Sequence, residues 1–277
     1  MPFTPSHAVV ALPFVRTPLV PAAIAIGAMT PDLPLFLRGI GLSYGSTHQA
    51  ANVVWTMLIA FVLLLVWRVV LRPALVALAP DPLAARLPED WRATGPSAAL
   101  AVVIPRRRFG DVVLLAMSLL IGVLSHIVWD LFTHEGRWGV ETFPVLQQAW
   151  GPLLGYKWLQ HGSSAIGLLI IAVCALVWLG RRDAVPHARP LPVWLRWVWY
   201  ATLPAFLIAA WLLGLAVYGP LTESFTPQHL AYRTLPAASG LWGAMTVLLC
   251  VVIVLTTRGG RRPTDAAERT VPEQRAS

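Results

Sequence analysis

Charge is scarce in this chain: only 12% of its 277 residues are Asp, Glu, Lys or Arg, against about 25% in a typical soluble domain. With 57% hydrophobic residues and a mean hydropathy of +0.66, there is too little polar surface to cover a soluble fold. The composition therefore reads as an integral membrane protein. Cysteine is nearly absent as well. Cys174 and Cys250 both fall in apolar runs with no Cys or His at ligand spacing, so both are expected to be small buried hydrophobes. The N-terminus lacks a cationic segment ahead of its first apolar run, since Arg16 follows that run, and it is expected to be retained structure instead of a secretory signal. No internal repeat suggests an inverted-repeat transporter.

What is present is a series of long apolar runs. A helix needs about 20 apolar residues to cross the hydrocarbon core, and the stretches near 51–71, 112–132, 163–180, 196–217 and 237–257 meet that test. Segment 7–37 is apolar but interrupted by Pro13, Pro18, Pro21, Pro31 and Pro34. It is either one kinked span or a re-entrant pair of short helices, buried in protein because irregular backbone at membrane depth must be. The expected fold is thus all-α, a polytopic membrane helix bundle forming one domain over 1–257.

The net charge of +8 would suit nucleic acid, but its placement argues otherwise. Arg72, Arg86, Arg92, Arg106, Arg107 and Arg108 fall in the 72–111 connection, Arg181, Arg182 and Arg189 in the next alternate loop, and five more arginines in the tail 258–277. The intervening connections hold few: Arg137 and Lys157, then Arg233. By the positive-inside rule the 72–111 connection and the disordered, basic tail are cytoplasmic, and the chain belongs in a bacterial plasma membrane with its C-terminus inside. No nucleic-acid partner is implied.

Against this apolar background one stretch stands out. The sequence SHIVWDLFTHEGRWG at 125–139 carries His126, Asp130 and His134 at four-residue intervals, while the twenty residues before His126 contain no His and Asp111 as their one carboxylate. Residues spaced by four share a helix face and are close enough to hold one ion. An ionised Asp at mid-bilayer costs about 2.5–3.5 kcal/mol, so it calls for a partner. Asp32 in TPDLP, His48 in STHQ and His161 in HGSS stand near span ends. The charge alternation puts His48, Asp130, His134 and His161 at one outer face. Asp and imidazole together are the donors expected for zinc or a similar divalent ion. A histidine bonded to Asp130 merely to lock two helices is the plain alternative. His7 reaches this face only if segment 7–37 doubles back.

The motifs MPFTPSHAVVALP, GAMTPDLPLF, STHQ and LSHIVWDLFTHEGRWG together resemble an uncharacterised family of bacterial multi-pass membrane proteins, a domain of unknown function. That family in turn distantly resembles the metal-dependent hydrolases of bacterial inner membranes. The resemblance implies His7, Asp32, His48, His126 and Asp130 as metal ligands. The hydrolases carry a further acidic residue and a His in the PD turn, and a His upstream of the T-H motif, which this chain lacks.

On that basis the expected function is metal-dependent hydrolysis, with zinc activating water against a lipid or lipid-linked ester or phosphoester. Glu135 or His134 would act as general base, Arg137 or Lys157 would steady an anionic group, and His161 would stand nearby. Membrane lipid is the expected partner. The alternative is a non-catalytic transporter or scaffold whose His/Asp cluster is an ion site, a proton path or a structural lock.

Overall fold

The computed structural model describes residues 3–39, 41–105, 108–185 and 191–259. It is helical almost throughout; among the described residues the only strands are the two-residue pair Ala149–Trp150 and Leu153–Leu154. Five helices are long and apolar enough to cross a membrane: Ala50–Leu78, Phe109–Thr142, Gly155–Gly180, Val193–Tyr218 and Pro227–Thr257. The Gly155–Gly180 and Val193–Tyr218 helices bury little against the rest of the chain. Leu169 and Leu213 are 64% and 66% exposed, as side chains facing lipid would be. Cys250 is buried as expected, but Cys174 lies on the outward face of its helix. His187 and the tail from residue 260 onward fall outside the described residues.

At two prolines inside the long helices, carbonyls left without an amide partner find other donors. Pro73 frees the Val69 carbonyl; the helix widens to a π turn over Trp67–Leu71, and the Thr94 hydroxyl donates to Val69 O at 2.8 Å. Pro236 frees the Tyr232 carbonyl, and the Arg38 guanidinium donates to Tyr232 O at 2.7 Å and Arg233 O at 3.1 Å.

The stretch after Leu78 is more ordered than its Pro/Ala composition suggests. It forms short helices at Asp81–Ala84, Glu89–Arg92 and Pro96–Val103. Buried Arg72 pairs with Asp90 at 3.2 Å, and buried Arg196 pairs with Asp81 at 2.6 Å, pinning these pieces to the spans.

The N-terminal segment settles the alternative its prolines left open: it doubles back. A 3-10 helix, Thr4–Phe14, turns near Arg16 into the α-helix Pro21–Met29, followed by the 3-10 turn Thr30–Asp32. Thr30 continues the helix instead of capping a new one, its hydroxyl donating to Ile26 O at 2.7 Å. The Thr4 hydroxyl meets Asp32 Oδ2 at 2.6 Å, so both ends of the hairpin lie at one level.

The Pro21–Met29 helix crosses the Phe109–Thr133 helix at Gly27 and Gly122. A Cβ at Gly122 would stand 2.3 Å from Ile24 O and 2.8 Å from Ala28 N, so only glycine permits this approach. Such close crossings through small residues are a common way to join helices where lipid removes the hydrophobic drive. One turn beyond Gly122 comes His126.

Candidate metal centre

Three pieces of chain converge at the end of this crossing. The 3-10 turn Thr30–Asp32 brings Asp32, and the Phe109–Thr133 helix brings His126 and Asp130 from one face. The third piece is the short helix Tyr44–Thr47, which ends at His48. Ser43 starts that helix by accepting from Ser46 N at 3.1 Å. The Thr47 hydroxyl then ties it to the proline turn by donating to Pro31 O at 2.7 Å. Ser43 thus caps the short helix one turn ahead of His48, and within STHQ Thr47 is the tether and His48 the residue that enters the cluster.

Asp32, His48, His126 and Asp130 are all buried, with exposures of 1%, 6%, 0% and 2%. One ligand atom from each lies within 4.8 Å of the others. His48 Nε2 and His126 Nε2 are 3.2 Å apart; Asp130 Oδ2 stands 3.4 Å from the first and 3.5 Å from the second; Asp32 Oδ1 is 3.6 Å from His126 Nε2.

The tautomers follow from the partners of the other ring nitrogens. His126 Nδ1 is 2.7 Å from Ala28 O and His48 Nδ1 is 2.9 Å from Tyr44 O. A carbonyl only accepts, so each Nδ1 carries a proton and each Nε2 faces the cluster; in a neutral ring that Nε2 offers a lone pair. Two such lone pairs facing each other at 3.2 Å repel unless a cation or proton lies with them. The Tyr44 hydroxyl donates to Asp130 Oδ2 at 3.0 Å and its ring stacks on His48. Burial, and then the nearby Asp130 charge, raise the Tyr44 phenol above its ordinary pKa, so it stays a donor.

The distances discriminate between the two things that could bind such a cluster together. Charge-assisted N–H to carboxylate bonds run about 2.7–2.9 Å, shorter than the 3.4–3.6 Å contacts here. In tetrahedral zinc with ligand bonds of about 2.0–2.1 Å, neighbouring ligand atoms stand about 3.3 Å apart. The donor set could hold a divalent ion: four of its separations, 3.2–3.6 Å, are close to that spacing, and all lie within 4.8 Å.

The remaining residues singled out in the sequence lie at varying distances from this group. His7 is buried and stacks on His126 with ring centroids 4.1 Å apart; it is not one of the four close donors, and its Nε2 has no hydrogen-bond partner. His134 is half-buried beside the cluster, its Nδ1 3.4 Å from Asp130 Oδ1. Glu135 is exposed and takes a 3.4 Å contact from the Tyr156 hydroxyl instead. Arg137 is half-buried, and His161 is exposed on its helix.

Lys157 donates to Gln160 Oε1 at 3.2 Å. Gln160, fully buried, directs its amide nitrogen to His134 Nε2 at 3.3 Å and thereby orients that ring. Ser163 and Ser164 lie inside a helix that begins at Gly155, so neither is an N-cap.

Sequence reasoning missed Thr4, Tyr44 and Gln160. Tyr44 carries a faint signal, standing one helical turn before His48; Thr4 and Gln160 carry none, because their partners are distant in the chain.

No curated protein and no solved structure matches this sequence. A family model does match, over residues 1–255. The chain belongs to the family described as Domain of unknown function (DUF4184).

Proposed function

We propose that this protein is a membrane-bound metal-dependent hydrolase in which Asp32, His48, His126 and Asp130 hold one divalent ion, zinc by preference. The observation that carries the reading is the buried convergence of two Nε2 atoms and two carboxylate oxygens, four of whose separations are 3.2–3.6 Å. Two carboxylates and two neutral imidazoles balance the charge of a divalent cation. A bound ion supplies Lewis acidity towards an ester or phosphoester and generates hydroxide near neutral pH.

The chain's own residues do the rest. Ala28 and Tyr44 carbonyls hold the two imidazoles in their ligating tautomer, and Thr4 and Tyr44 hydroxyls hold the two carboxylates. In this reading His134, oriented by Gln160 and adjacent to Asp130, accepts and returns a proton as general base and acid. Glu135 is exposed and in contact with Tyr156, and is the weaker candidate for that role. The cluster's place at the ends of apolar spans suits a lipid or lipid-linked substrate. The arginine alternation in the sequence supports an outer-face site in a bacterial plasma membrane and a cytoplasmic C-terminus.

One observation favours a second reading, a non-catalytic ion site: four donors suffice to close a tetrahedral shell, whereas catalysis needs an open position. Elemental mass spectrometry on detergent-purified protein, beside a His126→Ala, Asp130→Ala double variant, tests the metal centre. Near-stoichiometric zinc in the parent and none in the folded variant is expected. A parent that takes up no metal after reconstitution would overturn the centre. With metal present, hydrolysis of dodecyl 4-nitrophenyl phosphate in the same micelles separates the readings, since a closed site would leave it at the rate of the variant.

A further inference from the structure

A cavity of about 480 Å³ opens beside the cluster, between the Thr4–Phe14 helix, the Phe109–Thr133 helix and the Gly155–Gly180 helix. That volume lies within the range of about 300–1,000 Å³ usual for small-molecule sites. Its lining is graded. Ser6, His7, Ser125 and Ser163 form the polar side, and Val9, Val10, Ile166 and Ile170 the apolar one. Ser125 immediately precedes His126 in the chain, and His7 stacks on the His126 ring. The polar end of the cavity is thus one aromatic ring away from the cluster.

We propose that this cavity seats a single hydrocarbon chain of a membrane lipid, so that the lipid's polar end meets His7 at the edge of the metal centre. The proposal rests on the metal-centre reading for the fate of the polar end, and on the cavity alone for the chain.

Three features select this occupant. The apolar wall is made by residues of membrane-spanning helices, and Ile166 and Ile170 are 60% and 41% exposed, so the cavity opens sideways where lipid chains are the surrounding solvent. From Ser163 to Ile170 the helix advances about 10 Å, room for roughly eight carbons of an extended chain. Finally, His7 Nε2 is buried without a hydrogen-bond partner among the described residues, which is costly unless something polar arrives to meet it. A wholly aqueous solute would satisfy His7 but waste the apolar wall; a wholly apolar one would leave His7 unmet. An amphiphile with one chain in the groove and an ester or phosphate head at His7 satisfies both.

Photolabelling of the full-length protein in nanodiscs tests this, using dodecyl phosphate that carries a diazirine at its chain terminus. Saturable labelling of peptides from 6–10 and 163–170, displaced by unlabelled dodecyl phosphate, is the expected result. An Ile166→Trp, Ile170→Trp variant fills the apolar end from positions that already face outward, and should bind about tenfold more weakly, the loss expected when roughly two methylenes go unburied. Metal content and melting temperature of that variant should match the parent, which confirms its fold. Non-saturating label spread over other outward faces, such as Leu212, Leu213 and Leu248, or equal labelling of the variant, would overturn the groove. Metal analysis of the same samples separates the two readings. Saturable, variant-sensitive labelling of metal-free protein overturns the metal centre and leaves the groove standing, while diffuse labelling of metal-loaded protein does the reverse.

Discussion

His126 Nδ1 lies 2.7 Å from the carbonyl oxygen of Ala28, ninety-eight positions earlier in the chain. That contact sets the tautomer of the most buried imidazole in the cluster. It exists because Gly27 and Gly122 let two helices touch backbone to backbone one turn away. Packing and chemistry are coupled at this point.

Gly122→Ala should disrupt the centre without altering any ligand. The added methyl would press on Ile24 O and Ala28 N, and overpacking of this kind costs about 1–3 kcal/mol. Both the melting temperature in detergent and the metal stoichiometry should fall. Gly162→Ala is the control: nothing lies within 4 Å of its added Cβ, and both quantities should be unchanged or slightly raised.

Tyr44→Phe keeps the ring that stacks on His48 and removes the hydroxyl that donates to Asp130. Loss of an outer partner of a ligating carboxylate typically lowers metal affinity about 10–100-fold. Competition against a graded chelator should show that weakening, with full occupancy regained at saturating zinc. Unchanged affinity would mean that Asp130 is not a ligand. Thr4→Val makes the same test for Asp32.

Removal of metal should destabilise the fold. An ion that binds the folded chain alone contributes about 4 kcal/mol when present at a thousand times its dissociation constant. Chelation should therefore lower the melting temperature of the parent and leave that of the His126→Ala, Asp130→Ala variant unmoved. Because the imidazoles must be neutral and the carboxylates ionised to ligate, occupancy should also fall as pH drops below the histidine range. Zinc titrations between pH 5 and pH 8 read this directly.

His134→Gln should retain metal and lose turnover. The side chain stands beside Asp130 but outside the four-residue group, and general acid–base groups contribute about 10²–10⁴-fold. Hydrolysis of dodecyl 4-nitrophenyl phosphate should fall by that factor at full metal occupancy, while Glu135→Gln should leave it unchanged. The opposite pattern would move the general base to Glu135.

Hydropathy located all five spans, because apolar runs of this length are readable without any neighbour. It placed their ends less well. The last helix begins at Pro227, ten residues before the run starting at 237, and the third begins at Gly155 instead of 163. The extra turns carry Gln160, Lys157 and Arg233, polar residues that hydropathy reads as loop and the structure builds as helix. The helix spacing of His126 and Asp130 was equally legible, since one face of one helix is a local property.

Which other residues join that face was a tertiary decision. Whether His7 and Thr4 reach the cluster depends on segment 7–37 folding back, and its prolines permit both a kink and a hairpin. The backbone contact at Gly27 and Gly122 selects the hairpin's seat, and the Thr47 tether to Pro31 selects the seat of His48. Hydropathy and local spacing thus determined that the chain is a bundle of membrane helices with an expensive His/Asp pair inside one of them, because both are properties of one short stretch of chain. The spacing, tautomers and groove belong to the tertiary structure, because each depends on atoms brought together from distant parts of the chain.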